Sequence, residues 1–103
     1  MVGKVFDVLD ALLEQAGLIV ELGRRLFYDR RLSANGEMSC ATCHRQELAF
    51  SDGRPQAQGI EGELHPRSAP SLAGVAYAVS LNWDDPAPAS LERQLLTPLF
   101  GHE

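Results

Sequence analysis

Two cysteines three positions apart, with a histidine directly behind the second, constrain this chain more than anything else in it. They are its only cysteines, and they stand in "SCATCHR", Ser39–Arg45. A C-x-x-C pair serves three chemistries, and each needs different company. A redox dithiol sits in a thioredoxin-like βαβ setting. A structural zinc ion takes four protein ligands. Covalent attachment of haem c takes C-x-x-C-H, in which both thiols add to porphyrin vinyl groups and the adjacent histidine turns onto the iron.

Zinc is poorly served. Beyond Cys40, Cys43 and His44 the chain offers only His65 and His102, and adjacent Cys43 and His44 would have to share one ion. The redox reading lacks a strand pattern. Two buried cysteines acting as small hydrophobes would leave both the spacing and the histidine as accidents. The residues alone leave these alternatives standing and favour one covalent haem c, with Cys40 and Cys43 as thioether links and His44 as the axial iron ligand.

At 103 residues there is room for one small domain. A chain this short is poor in core, and a buried porphyrin would add a large apolar nucleus. The net charge of −5 excludes a nucleic-acid binder, because no basic stripe is present to neutralise phosphates. No apolar run approaches the roughly 18 residues of a membrane span. Met1–Val20 carries Asp7, Asp10 and Glu14 where the apolar region of a signal peptide would be. Haem c is attached outside the cytoplasm, so a periplasmic location is expected, with a leader removed or the chain an excerpt. "TPLFGHE" likewise stops in mid-phrase.

Val5, Val8, Leu9, Leu12 and Leu13 recur at helical spacing, which predicts an amphipathic helix ending near Gly17. A second helix is expected over Leu18–Tyr28, with Leu22, Leu26 and Phe27 inward and Arg24 and Arg25 outward. Asn35-Gly36 reads as a turn. Cys40–Glu47 reads as one or two helical turns, Ser51–Pro70 as loop and Ser71–Val79 as a short helix. Ser90 caps a helix over Leu91–Leu96 ahead of Pro98. No strand pattern or internal repeat is visible. The expectation is an all-α, cytochrome c-like domain whose long loops wrap one covalent haem.

A simple electron carrier holds iron between His and a downstream Met. Met1 and Met38 are the only methionines, and Met38 stands two residues before Cys40, badly placed to reach the opposite face of the haem. His65, 21 residues beyond His44, could reach it from the loop.

"ELGRRLFYDRRLSANGEMSCATCHRQELAFSDGR", then "HPRSAPSLAGVAY", then "NWDDPAPASLERQLLTPLF" together resemble the N-terminal haem domain of the bacterial di-haem cytochrome c peroxidase superfamily. The "CHRQELAFSDG" and "LFGHE" phrasing is similar to its MauG-like and MbnH-like branch. The resemblance covers residues 21–103 and leaves 1–20 as a helical leader without a family role. It implies an oxidoreductase that reduces hydrogen peroxide with electrons from a small redox protein, or uses peroxide to oxidise residues of a partner protein. It implies a second haem domain not present in this chain, and a distal catalytic Glu falling just past Glu103.

Carried over residue by residue, the resemblance makes Trp83 the residue between the haems, Gln94 a distal-side group and Arg67 a neighbour of the haem propionates, where guanidinium suits carboxylate. Ser68 stands where the family has an Asn that serves an interdomain calcium site, so calcium is doubtful. Asp85-Pro86 replaces a Gly-Arg. Ile60 occupies the place of a distal His that switches on and off the iron, while His65 falls where the family has no ligand. A five-coordinate, high-spin iron is the expectation, with His65 as the alternative sixth ligand. The competing reading is a freestanding mono-haem electron carrier without catalysis.

Overall fold

The computed structural model describes residues 2–82 and 90–100. Its dominant element is α1, Val2–Phe27, one continuous helix of 26 residues. The expected break at Gly17 does not occur. Gly17 is not among the glycines with positive φ. A mid-helix glycine costs only about 1 kcal/mol relative to Ala and keeps its N–H in the ladder. The two predicted helices are therefore one.

Arg24 and Arg25 lie on the exposed side, as the periodicity predicted. Leu22 and Leu26 do not face inward. They are 57% and 40% exposed, because no neighbouring element covers that face among the described residues. Only the C-terminal end of α1 docks: the Phe27 ring meets Tyr28 edge-on at 5.3 Å and Phe50 at 6.0 Å.

Glu21 accepts hydrogen bonds from Arg24 Nη2 and Nε at 2.6 and 2.9 Å and from Arg25 Nε at 3.1 Å. Those donors hold its carboxyl down at about 2. A carboxyl lowered on folding contributes stability above its ordinary pKa near 4.5 and loses it as pH falls toward 2. The group is exposed and the effect small. Helical circular dichroism should decline across that window, and Glu21→Gln should flatten the decline.

Beyond α1 the chain turns through a single 3₁₀ turn, Arg30–Leu32, capped by the Asp29 carboxylate on the Arg31 N–H at 3.0 Å. The predicted Asn35-Gly36 turn forms, with Gly36 at φ 73°. The next helix, α2, is a single turn over Cys40–Cys43 with Ser39 at its N-cap. It does not run on to Glu47. His44 leaves the helix at φ −116°, ψ 77°, and a separate 3₁₀ turn follows over Gln46–Leu48.

The glycine-rich stretch predicted as loop has internal order. Ala57 N–H donates to the Arg67 carbonyl, His65 N–H to Ala57 and Gly59 N–H to Glu63, each at 2.8 Å. These bonds staple residues 57–67 into a small antiparallel loop, with an isolated bridge between Gln58 and Leu64.

Ser71–Val79 yields only a 3₁₀ turn, Val75–Tyr77, because Gly74 just before it takes the left-handed conformation at φ 67°. Ser90 caps α3, Leu91–Gln94, through its Oγ and the Arg93 N–H at 3.2 Å. The helix α4, Leu96–Phe100, contains Pro98 rather than stopping before it. Pro98 lies in the first turn, where a missing N–H removes no intrahelical bond.

Among the described residues the architecture is helical and no strand forms. The buried residues are Asp52, Gly59 and Ala69, all in the segment that follows α2. Among the described residues no helix is long and apolar enough to cross a membrane.

Candidate functional site

Three residues apart on one turn of helix, Cys40 and Cys43 are surface neighbours on the same side of α2. Neither is in a disulfide, and both are partly buried. Burial pushes the Cys40 thiol above its ordinary value, the loss of solvation outweighing a backbone hydrogen bond. A reactive dithiol needs the opposite, a thiol lowered toward neutrality by nearby positive charge. Among the described residues no three His, Cys, Asp or Glu side chains gather as a metal cluster.

His44 is the C-cap of α2. Its N–H still bonds the Cys40 carbonyl at 2.9 Å, while its side chain is released from the helix. The imidazole Nδ1 lies 2.8 Å from the Phe50 carbonyl. A carbonyl can only accept, so Nδ1 carries a hydrogen, and the neutral ring then has its lone pair on Nε2. That is the tautomer a metal-ligating imidazole needs, with its second nitrogen held by a backbone acceptor.

The Phe50 carbonyl is presented by a short strap, residues 45–51. Arg45 N–H donates to Ser51 at 3.0 Å and Phe50 N–H donates back to Arg45 at 2.8 Å. Ala49 and Phe50 both take left-handed conformations, φ 53° and 61°, which turns the chain tightly enough to bring the carbonyl round. Such backbone costs of order 1 kcal/mol or more per residue and persists only where its surroundings fix it. Gly53, also left-handed, follows close behind, where an added Cβ would come within 2.8 Å of the Leu48 side chain.

The donor set fits haem c. Two cysteines on one helical face could supply the thioether links, and an imidazole whose Nδ1–H is engaged by a backbone carbonyl could turn Nε2 to the iron. The Arg67 backbone is pinned by its carbonyl, while its exposed side chain makes no ion pair or hydrogen bond among the described residues and is free for carboxylates. Ile60 is half-buried in the stapled loop. His65 is also half-buried, and its N–H is engaged with Ala57.

Gln94, half-buried at the end of α3, forms a reciprocal amide pair with Asn82. Gln94 Nε2 donates to Asn82 Oδ1 at 2.9 Å and Asn82 Nδ2 returns a longer bond at 3.3 Å. Trp83, Asp85-Pro86, His102 and Glu103 lie outside the described residues.

Sequence reasoning missed four groups: the Phe50 carbonyl, Asp52, Ser71 and Asn82. A main-chain acceptor leaves no trace in residue type. Asp52 did leave a signal, since Asp ahead of Gly in "SDG" is turn chemistry.

A family model described as di-haem cytochrome c peroxidase matches residues 18–103. The methylamine utilization protein MauG of Methylorubrum extorquens is 42% identical over 80 residues, covering 78% of this chain and 22% of that protein. The cytochrome c peroxidase of Escherichia coli K12 is 39% identical over 75 residues, covering 73% of this chain and 16% of its own length. A crystal structure of a MauG-like protein associated with microbial copper homeostasis superposes with a TM-score of 0.75 and 56% identity, over 79% of this chain and 23% of that one. The chain thus spans about a fifth of the length of the curated relatives it matches.

Proposed function

Because this chain belongs to the di-haem cytochrome c peroxidase family, we propose that it is the haem-bearing N-terminal portion of a periplasmic peroxidase-type oxidoreductase. Cys40 and Cys43 would hold one haem c covalently, with His44 supplying a ligand to its iron. The observation that carries this reading is the 2.8 Å bond between His44 Nδ1 and the Phe50 carbonyl beside an intact C-x-x-C-H turn. Bound there, the haem supplies an iron that can react with hydrogen peroxide and pass electrons.

The chain's own groups then have distinct tasks. The strap keeps the imidazole Nδ1–H engaged, which raises the electron donation of Nε2 to the metal. Arg67 offers a guanidinium for the propionates. Ile60, having no donor atom, leaves the distal side open to peroxide. Gln94, held by Asn82, would supply an amide on that side, and the family resemblance gives Trp83 the task of passing electrons toward a second haem domain. One peroxide, two protons and two electrons give two waters. The electrons come from a partner protein, as a small redox carrier or as the substrate whose residues are oxidised. The likeness to a MauG-like protein at 56% identity supports the second of these.

Mixing the ferric, haem-loaded protein with hydrogen peroxide tests the reading. The Soret band should change at a rate that rises linearly with peroxide. An unchanged spectrum at millimolar peroxide would identify instead an electron carrier with both axial positions filled.

A further inference from the structure

Asp52 is a carboxylate with 8% of its surface exposed, in a chain that buries almost nothing else. Burying an ionised carboxylate is costly unless hydrogen bonds compensate it. Its two oxygens divide their work. Oδ1 accepts from Arg54 N–H at 3.1 Å, closing a local turn, and Oδ2 accepts from Ala69 N–H at 3.2 Å, 17 residues away. A second tie runs nearby: the Ser71 hydroxyl donates to the Ala49 carbonyl and accepts from Ala73 N–H at 3.1 Å. The two ties grip the chain on either side of Phe50, at Ala49 within the strap and at Asp52 just beyond its end. The left-handed pair whose geometry decides where the Phe50 carbonyl points, Ala49 and Phe50, begins at the first of these ties.

We propose that Asp52 and Ser71 are positioning residues for His44, latching residues 69–71 to the proximal strap so that the Phe50 carbonyl stays on the imidazole Nδ1–H and sets its electron donation to iron. This rests on His44 being the axial ligand. An Nδ1–H held by a good acceptor makes the ligand more basic and favours ferric iron. A loosened strap weakens that bond and favours ferrous iron, so the midpoint potential rises.

Asp52→Asn is nearly isosteric, yet it places an NH₂ where one backbone N–H must find an acceptor. It also removes a negative charge, which by itself would raise the potential. Ser71→Ala cuts the second tie without changing charge. The test is a redox titration of both variants in the haem-loaded protein, with the Fe–His stretching frequency of the ferrous form read by resonance Raman.

Both variants should lower that frequency. Both should shift the ferrous-to-ferric ratio at fixed potential, by up to about tenfold for Asp52→Asn, which is about 59 mV for a one-electron couple. Together the substitutions should do less than the sum, because they loosen one strap. A raised potential in Asp52→Asn alone, with both frequencies unchanged, is a charge effect and overturns the inference. If Asp52→Asn does not accumulate, Ser71→Ala decides by the same frequency. A protein that carries no haem on His44 overturns the ligand assignment beneath it, and is told apart by having no Fe–His band at all.

Discussion

Protein in which Cys40 and Cys43 are both replaced by serine should lose all of its haem on denaturation, whereas the unaltered chain should keep one haem through the same treatment. Mass spectrometry in acid and organic solvent reads the difference. A thioether survives those conditions, while an axial imidazole bond does not, because acid protonates His44 and unfolding removes the strap that orients it. The outcome is all or none. Either single serine variant should retain haem through the remaining link, since the two cysteines share one helical face. Two free thiols in unaltered protein matured by a haem-attachment system would sink the haem reading.

His44→Ala should move the midpoint potential on the order of hundreds of millivolts, the scale over which axial ligands tune haem iron. His65→Ala should leave the ferric electron paramagnetic resonance spectrum high-spin and unchanged. The two histidines differ in how they are held. His44 has its Nδ1–H held on the Phe50 carbonyl. His65 sits in a loop closed by three backbone bonds of 2.8 Å, from Ala57, His65 and Gly59. Swinging it across the haem would break part of that staple, at about 1 kcal/mol for each bond lost. A low-spin bis-histidine signal that disappears in His65→Ala would show that the staple yields.

The C-x-x-C-H turn was legible because its signal lies in residue types at fixed spacing: Cys40, Cys43 and His44 are adjacent in sequence and in space. The helical class was legible from periodicity and the lack of any strand pattern. Local propensity misled at Gly17, where a weak breaker was read as a stop although helix propagation tolerates it. It misled again over residues 44–47, where His44 departs from the helix to satisfy a carbonyl six residues on. The distal and propionate-side roles proposed for Gln94 and Arg67 rest on family likeness alone. Their partners, Asn82 and the open side of the loop, depend on contacts between segments. Asp52 shows the limit most clearly. "SDG" announced a turn, but nothing in the letters told that its second oxygen would reach Ala69.

The spacing of the ties around the strap also sets an order in time. His44 meets Phe50 across six residues, Asp52 meets Ala69 across 17, and Ser71 meets Ala49 across 22. Closing the longest of these loops costs about 1 kcal/mol more chain entropy than closing the shortest. Loops of about ten residues close within roughly 100 ns. As the chain emerges, the imidazole therefore finds its carbonyl first, by local search, and the downstream segment arrives later to lock what has already formed. An attachment apparatus handling a half-folded chain would meet a histidine already aimed, on a strap not yet tied down.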